Sequence, residues 1–507
     1  VNVVVKNTSK GAVTDFDGNY SISTSAGDVL TFSYVGYSTK EVTVGASNSI
    51  NISLVPDNTL DEVVITGFGS KSRDKLTSAV TTLSSDDIKK LSPTTSVDNM
   101  LQGNAPGVQV VGANGKPGQT AFVRVRGVGS INASSAPLYV IDGVVAPNLN
   151  SINPNDIESM SILKDAATAS LYGSRAANGV IVITTKSGKK DRDARVTISS
   201  RVGYGQRIKD NFEMMDAAQK IQYERELASL GVSNAQSLPG AQITNQDEYN
   251  FLIARNTDWR DELLRKSYIQ NNSISVDGGT EKTSYFFGLG HDRNTGIIQE
   301  VNGFERLNGR MNLNFQAKEW LNISTNFSVT TTKSDEPRDR NNAQNPFRAM
   351  YDYNPYETKY ILDDDNNFVL DANGERQFNL TRAGFSITEA LINNPEIQNT
   401  TFLIGGFSAK ADITDHISNT FKIGATNTSY RREYFIAPGS VLDGYVGDAQ
   451  NPGIKTDNGS NELDYTITNL LSYSNTFAEK HNVKLTGLFE FNKRTLRNYS
   501  LSSNGFS

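Results

Sequence analysis

Few residue types in this chain could do chemistry together. It has no cysteine and three histidines, His291, His416 and His481, which stand far apart. Disulfides and thiolate metal sites are therefore excluded, and no histidine-based zinc site is expected. The most metal-like stretch is TDFDGNY, Thr14–Tyr20. It lacks the ligand spacing of an EF-hand loop, and its Asp-Gly step reads as a solvated tight turn. No phosphate-cradling glycine loop and no converging acid, base and nucleophile are visible, so the chain reads as a non-enzyme that uses neither metal nor cofactor. With 49 basic and 55 acidic residues the net charge is −6 over 507 residues, too small and of the wrong sign for a nucleic-acid footprint. What remains is binding chemistry. Arg124, Arg126, Lys164, Asp165 and Arg175 are charged groups in a stretch of short elements. Phe347, Tyr351, Tyr353, Tyr356 and Tyr360 are aromatics suited to stacking or to a partner interface.

The elements that carry these residues differ along the chain. Residues 1–56 hold β-rich, turn-bounded runs (VNVVV, NYSIS, VLTFSYV, EVTV, INISLV) and read as a small β unit. Because the chain opens directly on a strand, its natural start is expected to lie further upstream. Residues 57–75 read as a linker with one β-prone island, DEVVITGF. A strand isolated in a linker suits pairing with another chain by edge addition. Residues 76–190 read as a compact α/β unit. Helices are expected at SSDDIKKL, SVDNMLQG, NDIESMSIL and KDAATASLY, and strands at GVQVVG, AFVRVRG, LYVIDGV and VIVITTK. In the segment Leu163–Gly188 a small-residue helix is broken at Tyr172-Gly173, turned at Asn178-Gly179 and followed by a buried strand.

From about residue 195 the pattern becomes long and two-sided. In LNGRMNLNFQ, Leu307, Met311, Leu313 and Phe315 share one side, and Asn308, Arg310, Asn312 and Asn314 the other. LNISTNFSVTTT alternates in the same way. Such strands exceed the usual soluble length of about 5–6 residues and match the apolar-out, polar-in dyad of a transmembrane barrel. A barrel hides its lipid face in alternate residues, which agrees with a negative mean hydropathy. Connections alternate between short ones, at GGTEK, 318–320, 414–416 and 478–480, and long ones, at about 207–270, 293–304, 334–399 and 431–463. Short turns on one rim and long loops on the other is the outer-membrane layout, with the short side periplasmic. The nine strands expected cannot close a bacterial barrel, so the chain reads as the N-terminal half of a larger one.

A folded α/β unit before a barrel suggests a plug, and here the residues resemble a known family. GAVTDFDGNYSI and LTFSYVGY resemble a carboxypeptidase-regulatory-like extension, and LDEVVITGFG a TonB box. VRVRGVGSINASSAPLYVIDGV and DIESMSILKDAATASLYGSRAANGVIVITTKSGK resemble a plug signature; TDWRDELLRKSYIQNNSISVDGGTEKTSYFFGLG and FERLNGRMNLN resemble first barrel strands. The whole chain is similar to the SusC/RagA family, the TonB-dependent outer-membrane transporters of Bacteroidetes.

The resemblance implies a mainly β fold. A transmembrane barrel of about 22 strands in the family, present here in part over 195–507, would hold an α/β lumenal plug at 76–190. A linker with the TonB box (57–75) and a small N-terminal β-sandwich at 1–56, in the periplasm, would precede it. It implies active import of an oligosaccharide or oligopeptide across the outer membrane of a Gram-negative bacterium. The partners would be TonB with its inner-membrane motor, a SusD-like surface lipoprotein and outer-membrane lipid, with no nucleic acid. TonB would pair with Asp61, Glu62, Val63, Val64, Ile65 and Thr66, through the backbone of Val63 and Ile65 or of Val64 and Thr66. The plug signature falls on Arg124, Arg126, Gly127, Asp142, Gly143, Lys164, Asp165, Tyr172, Gly173, Arg175 and Gly179. Its charged members would meet the barrel wall, as a releasable latch or as static pairs. Phe347, Tyr351, Tyr353, Tyr356 and Tyr360 would touch substrate or lid, or pack within their own loop. The alternatives are a TonB-dependent siderophore or vitamin receptor, and a structural or adhesin barrel; the latter would need no TonB box.

Overall fold

A computed structural model describes residues 1–6, 8, 10–15, 17–34, 37–45, 47, 49–54, 63–66, 69–72, 80–91, 94–112, 115–127, 134–335, 337, 344–363, 365–381, 384–478 and 480–506. The chain forms two compact units, Val1–Ser78 and Ala79–Ser507.

The first unit is an antiparallel sheet of order β2-β1-β3-β4, built from β1 (Asn2–Val5), β2 (Gly11–Val13), β3 (Val29–Tyr34) and β4 (Tyr37–Thr43). Alternation puts Val3, Val5, Leu30 and Phe32 on one face, where they are buried. The segments NYSIS and INISLV, expected as strands, join no ladder over their described residues, and Val55 lies outside those. They form the second layer through side chains instead: Tyr20 meets Phe32 edge-on at 5.5 Å, and its hydroxyl donates to the Ile50 carbonyl at 2.9 Å. The TDFDGNY stretch is a turn, in which the Asp15 carboxylate accepts from the backbone N–H of Asp17 and Asn19. Further along this unit, β5 (Val63–Thr66) and β6 (Gly69–Ser72) pair as a hairpin.

The second unit begins with a five-stranded sheet of order β11-β10-β13-β12-β7. It contains β7 (Val80–Ser84), β10 (Leu138–Ile141), β11 (Val144–Ala146), β12 (Ile157–Leu163) and β13 (Val180–Thr185). A separate hairpin joins β8 (Val108–Val111) to β9 (Phe122–Val125). Strand β13, VIVITT, is central and buried almost throughout, as an uninterrupted β-branched run should be. The expected helix at SSDDIKKL is Ser85–Lys90, started by a capping box between Ser84 and Asp87. SVDNMLQG shortens to a 3-10 turn at Asp98–Leu101. NDIESMSIL is not a helix: after a turn at Pro154–Asp156 it runs as β12, between β13 and β7. Pairing on both sides outweighs its ambiguous short apolar pattern. KDAATASLY starts as a short helix, Ala166–Ala169, and continues as 3-10 turns broken at Gly173, whose φ of 66° and ψ of −153° are non-helical. Gly179, at φ +86°, lies so close to Val125 that an added Cβ would stand 3.0 Å from that side chain.

The rest is a nine-stranded antiparallel sheet in sequential order. Its strands are β14 (Arg192–Gly205), β15 (Ser267–Gly279), β16 (Thr283–Asn294), β17 (Phe304–Lys318), β18 (Leu321–Asp335), β19 (Glu396–Asp412), β20 (Ile417–Ile436), β21 (Ile454–Phe477) and β22 (His481–Asn504). The sheet is open, with β14 and β22 at its edges. Connections alternate as expected: 280–282, 319–320, 413–416 and 478–480 are short, and 206–266, 295–303, 336–395 and 437–453 are longer. The sides also alternate as expected. Leu307, at 61% exposure, points away from the α/β unit, while Arg306, at 0%, points into it.

Candidate functional site: the plug against the wall

Strand β17 supplies the centre of the site. Its period of two sends Arg306, Asn308, Arg310 and Asn312 to the inner side, where all four are buried. Asp292 faces Arg306 across the β16–β17 ladder. Its carboxylate accepts from Nε and Nη2 of Arg306 at 2.9 and 2.6 Å, and both residues are fully buried. The α/β unit completes this pair. Nη1 of Arg306 donates to the Thr95 carbonyl at 3.1 Å, and Nδ2 of Asn153 donates to Asp292 and to Asn308, each at 2.9 Å. Asn308 in turn donates to the Asp156 carboxylate at 2.9 Å. Arg310 donates to the carbonyls of Asp156 and Lys186 at 3.2 and 3.1 Å, and Asn312 to the Lys186 carbonyl at 2.9 Å.

These plug partners are held by local structure. Asn153 caps the 3-10 turn Pro154–Asp156 with its side-chain oxygen, which leaves its amide N–H free to reach the wall. Burial pushes the Asp156 carboxyl up, against the opposing pull of Arg310 and Lys186. Lone contacts extend the attachment: Thr330 on β18 donates to the Ser151 carbonyl at 2.9 Å, and Thr426 on β20 to the Val145 carbonyl at 2.8 Å. Arg175 pairs with Glu490 on β22.

Few of the charged residues singled out by sequence face the wall. Arg175 does, and Asp142 does weakly, 3.5 Å from Arg310. Asp142 and Gly143 form the turn between β10 and β11, at φ 49° and 84°, and Asp142 also accepts from the Thr185 N–H at 2.9 Å. Arg126 instead pairs with Asp165 inside the plug, at 2.5 Å. Lys164 donates to the Thr81 hydroxyl and the Pro106 carbonyl, also inside the plug. Arg124 lies opposite Gln109 in the β8–β9 hairpin, and Gly127 follows that hairpin at φ 103°. Tyr172 is buried, which pushes its hydroxyl up. The residues that sequence reasoning passed over as plug contacts, Asn153, Asp156, Asp292 and Arg306, had one usable signal. For Asp292 and Arg306 it was their place on the polar side of long alternating strands; Asn153 and Asp156, at the turn Pro154–Asp156, carried none.

The long loops fold together. Trp259, Leu263, Ala349, Met350, Tyr353, Phe385 and Ile387 share a core with Leu442. Tyr353 and Tyr356 are 4% exposed; their hydroxyls bond to the Phe385 carbonyl and the Glu224 carboxylate. Tyr360 stacks on Phe378 at 5.2 Å. Phe347 and Tyr351 are each 40% exposed; the Tyr351 hydroxyl donates to the Asp210 carboxylate at 3.3 Å and its ring lies 6.1 Å from that of Phe212. Of the residues expected to form a TonB box, Asp61 and Glu62 lie outside the described residues, and Val63–Thr66 form β5.

Comparison with known proteins agrees with this arrangement. Residues 72–180 match the TonB-dependent receptor plug domain and residues 1–65 a CarboxypepD_reg-like domain. TonB-dependent receptor P26 of Formosa agariphila is 33% identical over 497 residues, which cover 97% of this chain and 47% of that protein. The chain belongs to the SusC/RagA-type TonB-dependent receptors. TonB-dependent receptor SusC of Bacteroides thetaiotaomicron is 35% identical over 322 residues, 62% of this chain and 30% of that one. The RagAB peptide importer in its open-open state superposes with a TM-score of 0.71 at 25% identity, covering 88% of this chain and 50% of that chain. The chain thus spans about half the length of the fullest of these SusC/RagA-type matches, and the α/β unit is their plug. The family is one of transporters, not of enzymes.

Proposed function

We propose that this chain is the plug-bearing part of an outer-membrane importer that takes up an oligomeric nutrient, a peptide or a glycan, with energy from TonB. Residues 1–56 form its periplasmic extension, 57–75 the linker that TonB grips, 76–190 the plug, and 195–507 the first part of the barrel. A SusD-like lipoprotein holds substrate over the long loops, where Phe347 and Tyr351 offer aromatic surface. The single observation that carries the reading is the polar interface in which a folded plug docks on the inner side of β16–β18. An apolar outer side supports the membrane placement. Leu289 and Phe327 point outward at 63% and 47% exposure. Aromatics mark both rims, Tyr204 opposite Tyr268 at the long-loop end and Trp320 at a short turn. No bond of the substrate is made or broken; the chemistry is binding, occlusion and release. The likeness to a peptide importer makes oligopeptides the first substrate to try and glycans the second.

The test is conductance in planar bilayers, using the complete transporter. The intact protein should be nearly closed, and a deletion of 76–190 should conduct through an otherwise folded barrel. Equal conductance in both would sink the lumenal-plug reading.

A further inference from the structure

The plug meets the wall a second time, at β19 and β20, with a contact of a different kind. Asp142 and Gly143, at φ 49° and 84°, join β10 to β11 in a two-residue turn, flanked by the pair Ile141↔Val144. The turn delivers Val144, 6% exposed, to the wall. There Gly406 on β19 stands opposite Gly424 on β20. Val144 fills the space that their missing side chains leave. A Cβ at Gly424 would lie 3.1, 3.2 and 3.4 Å from Cγ2, Cγ1 and Cβ of Val144, and one at Gly406 would lie 3.0 Å from Cγ2. Thr426, two residues along β20, holds the next plug residue through the Val145 carbonyl at 2.8 Å, and Ile404 on β19 joins the plug core. A cavity of about 10 Å³, room for roughly one water, lies between this notch and the polar seat. Asp142 and Asp156 line it from the plug, and Arg310, Asn326 and Ile404 from the wall.

We infer that Val144, seated over Gly406 and Gly424, is a fixed pivot about which the plug turns off β16 and β17 when its first strand is pulled. This rests on reading 76–190 as a plug that TonB moves through the linker before β7. Topology places the load far from the notch. The linker enters the sheet at β7, and β11 is the opposite edge in the order β11-β10-β13-β12-β7. Four strand spacings of about 4.8 Å put the pull roughly 19 Å from Val144, a lever arm across the plug. The two contacts also respond differently to water. Each hydrogen bond of the seat is exchanged for one to water at small net cost. Val144 has no such exchange, because lifting it exposes an apolar side chain and leaves the glycine floor bare. The seat therefore parts first while the notch holds, and the cavity on the seam already has room for the first water. The passage opens along Arg306, Asn308 and Arg310, beside the plug and not through its middle.

Thiol labelling of the complete transporter in whole cells tests the pivot, since these 507 residues carry no cysteine of their own. The probe is a membrane-impermeant maleimide, and the reference is a strain lacking TonB. Asn308→Cys reports on the seat and Thr426→Cys on the notch; both positions are 4% exposed. With TonB present, Asn308→Cys should label about tenfold faster or more, and Thr426→Cys less than about twofold faster. Val144→Cys with Gly424→Cys brings two Cβ atoms to about 3.4 Å, close to disulfide spacing. Closing that bridge should leave the acceleration at Asn308→Cys in place. Loss of the acceleration on bridging, or equal acceleration at both reporters, would overturn the pivot and leave a plug moved by TonB. A rate at Asn308→Cys that ignores TonB would instead remove the moving-plug reading and the pivot with it. Should the bridged variant not fold, size exchange in the strain lacking TonB decides. Gly424→Val overpacks the notch and should speed labelling of Thr426→Cys by about tenfold, and adding Val144→Ala should restore the slow rate. No effect of Gly424→Val would mean that Val144 does not fill the notch, and the pivot falls.

Discussion

The plug buries two surfaces, and they are made of different residues. Its own interior closes over Leu101, Leu149, Met160, Ile162, Ile181 and Ile183, all apolar and fully buried or nearly so. Against β16 and β17 it presents Asn153, Asp156 and backbone carbonyls to Asp292, Arg306, Asn308 and Arg310, which are buried to a similar degree, whereas at β19 and β20 the contact is apolar, with Ile404 joining the plug core and Val144 lying over Gly406 and Gly424. Apolar surface gains about 25 cal/mol for each Å² removed from water and would be left as a sticky patch if parted. A hydrogen-bonded surface exchanges its partners for water, so each bond contributes about 0.5–1.5 kcal/mol net. The interior therefore suits a body that must stay folded. The polar part of the outer surface, on β16 and β17, suits one that is held in a single orientation yet can leave its seat without unfolding.

The sharpest way to break this contrast is Arg306→Ala. It strands the Asp292 carboxylate in a fully buried place, and losing one partner of a buried pair costs about 3–5 kcal/mol. Hydrogen exchange of the β12 and β13 peptides should stay slow, because the plug interior is untouched, while peptides around Thr95 and Asn153 should exchange faster. The double change Arg306→Met with Asp292→Leu should recover only part of the loss: apolar replacement of a buried pair is often neutral, but here it also takes the partners of the Asn271 amide and the Thr95 carbonyl. If β12 and β13 loosen together with the interface, the two surfaces are one cooperative unit.

Much of this architecture was legible from one-dimensional pattern. The dyad alternation of β17 and β18, and the alternation of short and long connections, follow from local periodicity and turn composition, which a sequence displays directly. The break at Gly173 was legible for the same reason, but the turn at Asp142-Gly143 was not: LYVIDGV reads as a single strand, and the structure divides it into Leu138–Ile141 and Val144–Ala146. The misreading of Ile157–Leu163 has a different cause. Its short apolar run fits helix or strand, and only pairing with β7 and β13, from distant parts of the chain, decides. The plug–wall network was hidden for a related reason. Asn153 meets Asp292 across 139 positions, and Arg306 meets the Thr95 carbonyl across 211. Composition marks such residues as polar and inward but not as partners. The aromatics of the long loops carried no signal that separates Tyr353, used inside a loop core, from Tyr351, which keeps exposed surface.

Inside the plug, Asp98 is the exception that sharpens the contrast. It is 1% exposed, takes the Tyr139 hydroxyl at 3.4 Å, and burial pushes its carboxyl up to about 6. A carboxyl whose folded value exceeds its unfolded value favours folding most when protonated. Its contribution is fully present below about pH 4 and is lost as pH rises through about 6, a loss on the order of 2–3 kcal/mol. Asp98→Asn should therefore slow hydrogen exchange of the plug sheet at pH 8 and leave it unchanged at pH 4, relative to the unaltered chain at the same pH. Equal effects at both values would mean that Asp98 acts through shape and not through charge.

Packing gives a smaller test of the apolar side. Ala169 is 4% exposed at the end of the short helix Ala166–Ala169. Ala169→Trp should overpack that contact at roughly 1–3 kcal/mol. Protease sensitivity around Ser170–Ala176 should rise, with the polar seat on β17 unaltered. Cleavage that begins at Asn153–Asp156 instead would couple the helix to the seat.

The smallest effect is expected at Arg175 and Glu490. This is the one ion pair between the plug and the wall, among the described residues, with substantial solvent access on both sides, at 31% and 24% side-chain exposure. Solvent-accessible pairs contribute about 0–1 kcal/mol, because water competes with the partner and both side chains lose freedom. A double-mutant cycle with Arg175→Ala and Glu490→Ala, read from hydrogen exchange of the Ser170–Ala176 segment, should give a coupling below about 1 kcal/mol. TonB-driven uptake should change little in either single variant. A coupling above about 2 kcal/mol, or uptake that becomes independent of TonB, would make this pair a principal latch. The polar surface would then divide into a static seat on β17 and a releasable clasp on β22, and the contrast would lie within the interface itself.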